Sequence, residues 1–104
     1  MSANINLGHG RVLAVQAVPY TASSAQATNP FGPQTFQIRI VANSDCHVKV
    51  GSGSLTATTS DPLLPAGSID YLMVTPGETI AAVRAASDGL VTATNGTLNV
   101  TELG

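Results

Sequence analysis

The chain has 104 residues, a formal net charge of −2, only 10% charged residues and a single cysteine. That length suits one domain and can bury roughly two-thirds of its unfolded surface around one core. Four scattered basic residues, Arg11, Arg39, Lys49 and Arg84, leave no basic stripe of the kind nucleic-acid binding needs, and a lone Cys46 rules out an intramolecular disulfide or an all-cysteine zinc site.

With so little charge, Ser, Thr, Asn and Gly must cover much of the surface. Low charge also suits a protein held against neighbours, because interface cores are depleted in charged residues. No apolar run reaches membrane-spanning length, and no charged start followed by an apolar run marks a leader. The expectation is a soluble protein folded in a reducing cytoplasm, with Cys46 as a small buried hydrophobe.

Residues 1–10 are mostly polar, with Ile5 and Leu7 as the large apolar points after Met1, alternating with Asn4 and Asn6. This stretch reads as an extended N-terminal arm preceding a single β-sandwich domain over 11–104. Arg11 to Tyr20 is largely apolar and valine-rich, with Pro19 near its end, which favours a strand. Both its faces would then be covered, one by the core and one by a neighbouring subunit. Thr21 to Gln34 reads as a long loop, a length that is often functional. Phe31, tethered between Pro30 and Gly32, would either plug the open end of the core or insert into a partner.

From Thr35 to Gly51 the chain alternates twice. Phe36, Ile38 and Ile40 are separated by Gln37 and Arg39; Cys46, Val48 and Val50 are separated by His47 and Lys49. A period of two marks half-buried strands, and Asn43-Ser44-Asp45 between them favours a turn. A three-residue loop there pairs Ala42 with Cys46, Ile40 with Val48 and Ile38 with Val50, all on one face. The expectation is a central antiparallel hairpin.

Ser52 to Pro62 is rich in Ser and Thr, with Leu55, Ala57 and Thr59 alternating as a short edge strand. Leu63 to Gly67 reads as a turn. Ser68 to Thr75 reads as a strand with Ile69, Tyr71 and Met73 on one face and Asp70 on the other, where it would protect an edge. Thr75-Pro76-Gly77-Glu78 is either a capping box with proline at the first helical position or a type II turn; the β-rich surroundings favour the turn and a strand after it. Leu90 to Leu103 carries Asn95-Gly96, the preferred two-residue hairpin turn. That turn pairs Thr94 with Thr97, Ala93 with Leu98, Thr92 with Asn99 and Val91 with Val100. Seven or eight short strands at this spacing fit an all-β fold: a small antiparallel β-sandwich or jelly roll.

Chemistry is sparse. His9 lies between two glycines of the arm and His47 on a polar strand face, without metal-ligand spacing. No nucleophile elbow is present, and Gly51-Ser52-Gly53-Ser54 precedes no helix that would cradle a phosphate. The reading is of a protein that is not an enzyme and uses no cofactor. A sugar-binding jelly roll would need flat aromatic platforms; there is no Trp, which leaves Tyr20 and Tyr71.

Four stretches carry a resemblance: Asn29-Pro-Phe-Gly-Pro-Gln-Thr-Phe-Gln-Ile-Arg-Ile running on to Gly51, Leu64-Pro-Ala-Gly, Val74-Thr-Pro-Gly-Glu-Thr-Ile-Ala, and Gly96-Thr-Leu-Asn-Val-Thr-Glu-Leu. They make up less than half of the chain and lie from Asn29 onward. In them the sequence resembles the small head decoration, or cement, proteins of tailed bacteriophages, which have a jelly-roll-like β fold. The resemblance implies a homotrimer on the capsid surface of the virion, assembled in the host cytoplasm, with the major capsid protein as partner and no nucleic acid or membrane involved. Asn4, Ile5, Leu7, His9 and Phe31 are the expected capsid or subunit contacts. Another virion component at the head–tail junction or tail, or a carbohydrate-binding module, are the competing expectations.

Overall fold

The structure is a computed structural model that describes residues 11–87 and 93–104. It is all-β, with two antiparallel four-stranded sheets and, among the described residues, no helix. The strands are β1 (Val12–Tyr20), β2 (Ala25–Gln26), β3 (Gln37–Ala42), β4 (Cys46–Gly51), β5 (Leu63–Leu64), β6 (Ile69–Met73), β7 (Thr79–Arg84) and β8 (Gly96–Leu103). One sheet, A, runs β1-β8-β3-β6; the other, B, runs β2-β7-β4-β5. The pairs nest: first with last, second with seventh, third with sixth, fourth with fifth.

Between the sheets lies one main core. Ile38, Ile40, Ala42, Val18, Tyr20, Leu98 and Val100 enter it from sheet A; Cys46, Val48, Leu64, Ile80 and Ala82 enter it from sheet B. The period-two reading of Thr35 to Gly51 therefore holds for burial from Ile38 to Val48, whereas Phe36 is exposed. The expected hairpin does not form. β3 pairs with β6 and β8, and β4 pairs with β5 and β7. Asn43–Asp45 is a corner that carries the chain from one sheet to the other. Alternation fixes which face of a strand is buried, but the two inner faces of a sandwich look alike in sequence.

That corner is heavily tied down. Tyr20 Oη donates to the Ser44 carbonyl at 2.7 Å, Ala66 N–H donates to Asp45 Oδ1 at 2.8 Å, and Thr97 N–H donates to Asn43 Oδ1 at 2.8 Å. It also explains Gly96. The hairpin expected at Asn95-Gly96 is absent: β8 starts at Gly96 and is flanked by β1 and β3 on its two edges, so no third strand fits. Ala93 and Thr94 are not in a strand, and the positions assigned to Val91 and Thr92 lie outside the described residues. Gly96 is needed for close approach instead. A Cβ there would overlap Ser44 Oγ and the Tyr20 hydroxyl and come within 2.6 Å of Asn43 Oδ1.

Three further expectations change. No strand forms at Leu55–Thr59; Leu55 and Ala57 instead pack on Ala81 and Val83, outside sheet B. Leu63–Leu64 is a short strand rather than part of a turn, and the turn is Pro65–Ser68, with Gly67 at φ 78° and Ser68 N–H donating to the Pro65 carbonyl. The Thr21–Gln34 loop contains β2. At Thr75–Glu78 the type II turn is present, with Gly77 at φ 88° and Glu78 N–H donating to the Thr75 carbonyl. The reciprocal side-chain bond of a capping box is there as well: Thr75 N–H donates to Glu78 Oε1 at 2.7 Å. A strand follows, not a helix.

Candidate interaction surface

The outer faces of the two sheets differ. On sheet B, the Ser/Thr-rich 52–62 segment folds over β7. Gln26 holds it through Nε2 to the Gly53 carbonyl at 2.8 Å and Oε1 from Leu55 N–H at 3.0 Å, and Ser24 Oγ accepts Ala57 N–H at 2.8 Å. Beneath it Ala81 is fully buried and Val83 nearly so.

Sheet A has no such cover among the described residues. Register places Val15 and Ala17 of β1, Thr101 and Asn99 of β8, Arg39 and Val41 of β3, and Met73, Tyr71 and Ile69 of β6 on its outer side. The apolar side chains stand at the two margins. Val12 is 62% exposed, Val15 56%, Ile69 53% and Met73 77%. Between them run Asn99 and the buried Thr101 and Leu103, and Arg39, opposite both Thr101 and Tyr71, supplies the charge. Isolated exposed hydrophobics are ordinary; a sheet face that carries rows of them marks a contact surface.

The two sides of the sandwich also differ. On the β1/β2 side, Gln16 clamps the backbone of Asn29, donating to its carbonyl at 2.8 Å and accepting its N–H at 3.2 Å. Phe31 is 3% exposed and belongs to the core. Its side chain packs in the core of its own chain, the first of the two expected outcomes, and is not available as the partner contact also expected of it. The following loop is held by Glu102, a 5%-exposed carboxylate whose Oε1 accepts Gly32 N–H at 2.9 Å and the Thr35 hydroxyl at 2.7 Å. On the β5/β6 side the sheets part to leave a groove of about 380 Å³, with Ile40, Val48, Val50, Leu64, Leu72 and Met73 as its apolar lining and Lys49, Asp61 and Asp70 as its charged lining. Asp70 Oδ1 also accepts Tyr71 N–H at 2.9 Å, which occupies an edge donor of β6, as the edge-protection reading expects.

Of the other contacts expected from sequence, Asn4, Ile5, Leu7 and His9 lie outside the described residues. His47 and Asp45 line a second, open cleft of about 440 Å³, but their polar atoms serve the backbone: His47 Nδ1 lies 2.7 Å from the Asp61 carbonyl, and Asp45 takes Ala66 N–H. Cys46 is fully buried, and that burial pushes its thiol pKa up; a thiol kept protonated is a poor nucleophile. Tyr20 is 1% exposed, with its hydroxyl pKa likewise raised by burial, so it offers no sugar platform. Among the described residues no cluster of three or more His, Cys, Asp or Glu is placed to hold a metal. No protein-family model, curated protein or solved structure matches the chain.

Proposed function

We propose that this chain is a cement protein of a tailed-bacteriophage head, a homotrimer that binds the assembled capsid where major capsid subunits meet. The observation that carries the reading is the outer face of sheet A, which among the described residues has no covering segment and exposes apolar side chains at both margins, in a chain whose other sheet has its own cover over β7. The motif resemblance from Asn29 onward points to the same class. We read the fold as a jelly roll, in which a long hairpin folds over so that its strands pair first with last, inward to fourth with fifth.

The chemistry needed is modest. A protein that binds the closed shell better than free subunits stabilises the shell by mass action. A trimer divides its contacts among several capsid subunits, so weak sites add by avidity. Arm residues Asn4, Ile5, Leu7 and His9 are proposed as additional capsid or subunit contacts. The site of action on this reading is the capsid surface of the virion.

The test is to mix the purified protein with undecorated heads and measure copies per particle. The expected result is saturation at a copy number that rivals the major capsid protein, with heads that resist heat or chelation longer. Binding at a single vertex would make it a head–tail or tail component. Glycan binding lost on Tyr71→Ala, with no head binding, would make it a carbohydrate-binding module.

A further inference from the structure

Resting on the trimer reading above, we infer that the groove on the β5/β6 side receives residues 1–10 of an adjacent copy, with Ile5 and Leu7 seated against Leu72, Met73 and Val50. The groove is mostly apolar in its lining and lies open among the described residues. Leu72 and Val50 are only partly buried, and Met73 is 77% exposed. Its natural occupant is a segment that presents two or more aliphatic side chains on one side and no charged side chain to strand beside Lys49 or Asp61. The alternation Asn4-Ile5-Asn6-Leu7 meets that description, and residues 1–10 contain no Asp, Glu, Lys or Arg.

Reach decides whose groove it is. The segment enters the domain at Arg11, whose backbone pairs with Gly104 in both directions. From there the row Val12–Leu103–Gln37–Met73 crosses the full width of sheet A. Three strand spacings amount to about 14 Å. Leu7 is four residues before Arg11, and four extended residues span at most about 14 Å. A fully stretched linker would bring Leu7 only to the margin of β6, so Ile5 and Leu7 of the same chain could not both turn into the space between the sheets. A neighbouring copy is under no such constraint. The arm leaves at one edge of sheet A and the groove opens at the other, so the contact is head-to-tail. Such contacts close into a ring when the rotation per copy allows it, which is the symmetry a trimer requires.

Two single-cysteine chains test this, both carrying Cys46→Ala: one with Leu7→Cys, the other with Met73→Cys. Mixed and oxidised, they should form a disulfide between the two chains, far above the level given by Leu7→Cys with Ser23→Cys, an exposed position between β1 and β2, as control. Met73→Asp, at an exposed position where folding is insulated, should weaken self-association of the full chain by about tenfold or more, and deleting Ser2–Gly10 should do the same. A disulfide formed only when both cysteines are on one chain, or no more with Met73→Cys than with Ser23→Cys, overturns the assignment. If the chain still forms trimers in that event, the arm–groove contact alone is wrong. If light scattering and head-bound material both give a monomer, the trimer reading is wrong first, and the groove assignment falls with it.

Discussion

The outer faces of the two sheets are built to different ends. Both are β-rich, weakly charged and flanked by Ser/Thr-containing loops. Sheet B spends eleven residues of its own chain, 52–62, on covering Ala81 and Val83 and leaves Leu63 of its β5 edge exposed. Sheet A leaves Val12, Val15, Ile69 and Met73 in solvent, although equivalent material would cover them. A lone domain gains nothing by that exposure, since each aliphatic side chain left in water forgoes about 1.5–3 kcal/mol of burial. The asymmetry is intelligible if sheet B's outer side is finished within the chain and sheet A's is finished by a partner.

The comparison breaks most directly with a charge placed under the sheet B cover. Ala81→Asp puts a carboxylate where the side chain is fully buried among Ala57, Val83 and Leu55; its cross-strand neighbour on that face is the exposed Lys49. It should destabilise the chain by about 2–3 kcal/mol in urea unfolding, because the carboxylate must be desolvated under the cover or the cover must lift to let it reach Lys49 and water. A much smaller loss would mean that the 52–62 segment is not a genuine cover.

Next comes the core shared by both sheets. Ile40 is 1% exposed in the main cluster with Val48. Ile40→Ala should cost about 2–5 kcal/mol, whereas Gln37→Ala, on the outer side of sheet A, should change the stability of the free chain little. Comparable losses at both sites would mean that sheet A's outer side is packed in the free chain.

These residues also show what the sequence could reveal. Alternation identifies the buried face from Ile38 to Val48, where Ile38, Ile40, Ala42, Cys46 and Val48 are all core, but not its ends, where Phe36 is exposed and Val50 half-buried. It was insufficient for pairing, because a strand's buried face does not say whether its neighbour lies beside it or opposite it. The Asn43–Asp45 corner and the Asn95-Gly96 pair both looked like hairpin turns on local chemistry. At both sites long-range packing prevailed: the corner is anchored by Tyr20, Ala66 and Thr97, and Gly96 serves the crowding around it. Glu102 was legible in principle. It shares the strand face of Leu98 and Val100, so an inward carboxylate was implied, but its partners Gly32 and Thr35 are 70 and 67 residues away. Apolar residues were expected on one face of β6 and on the outer side of β1. That the two strands form opposite edges of one sheet emerges only from the strand order.

A smaller effect concerns alkaline pH. Burial raises the thiol pKa of Cys46 above 9.0 and the phenol pKa of Tyr20 above 10.0. A raised folded-state pKa means that the native state holds the proton more tightly than the unfolded chain. The associated stability is complete below the ordinary values and is lost as pH rises through the folded ones. Urea midpoints should therefore be flat toward pH 8 and fall from about pH 9 upward. Cys46→Ala should flatten the onset of that fall. An unchanged alkaline slope would assign it to other groups. Cys46 and Tyr20 both belong to the main core, so the part of the fall that Cys46→Ala removes provides a reference for core integrity when face variants are compared.

The smallest expected effect on the free chain is the most discriminating. Val15 stands on the outer side of β1, 56% exposed, opposite Thr101. Val15→Asp adds a carboxylate in water, and its effect on melting of the dilute chain should stay within about 0.5 kcal/mol, as for ordinary surface changes. The same substitution on a surface destined for a partner requires that charge to be desolvated on docking. Unpaired, it should cost the association several kcal/mol. Decoration of heads should fall steeply while the unfolding midpoint barely moves. Ala81→Asp should show the opposite order, unfolding first and losing binding as a consequence. If Val15→Asp unfolds the free chain as Ala81→Asp does, sheet A is covered within its own chain. If it leaves both stability and head binding intact, the partner sits on another surface.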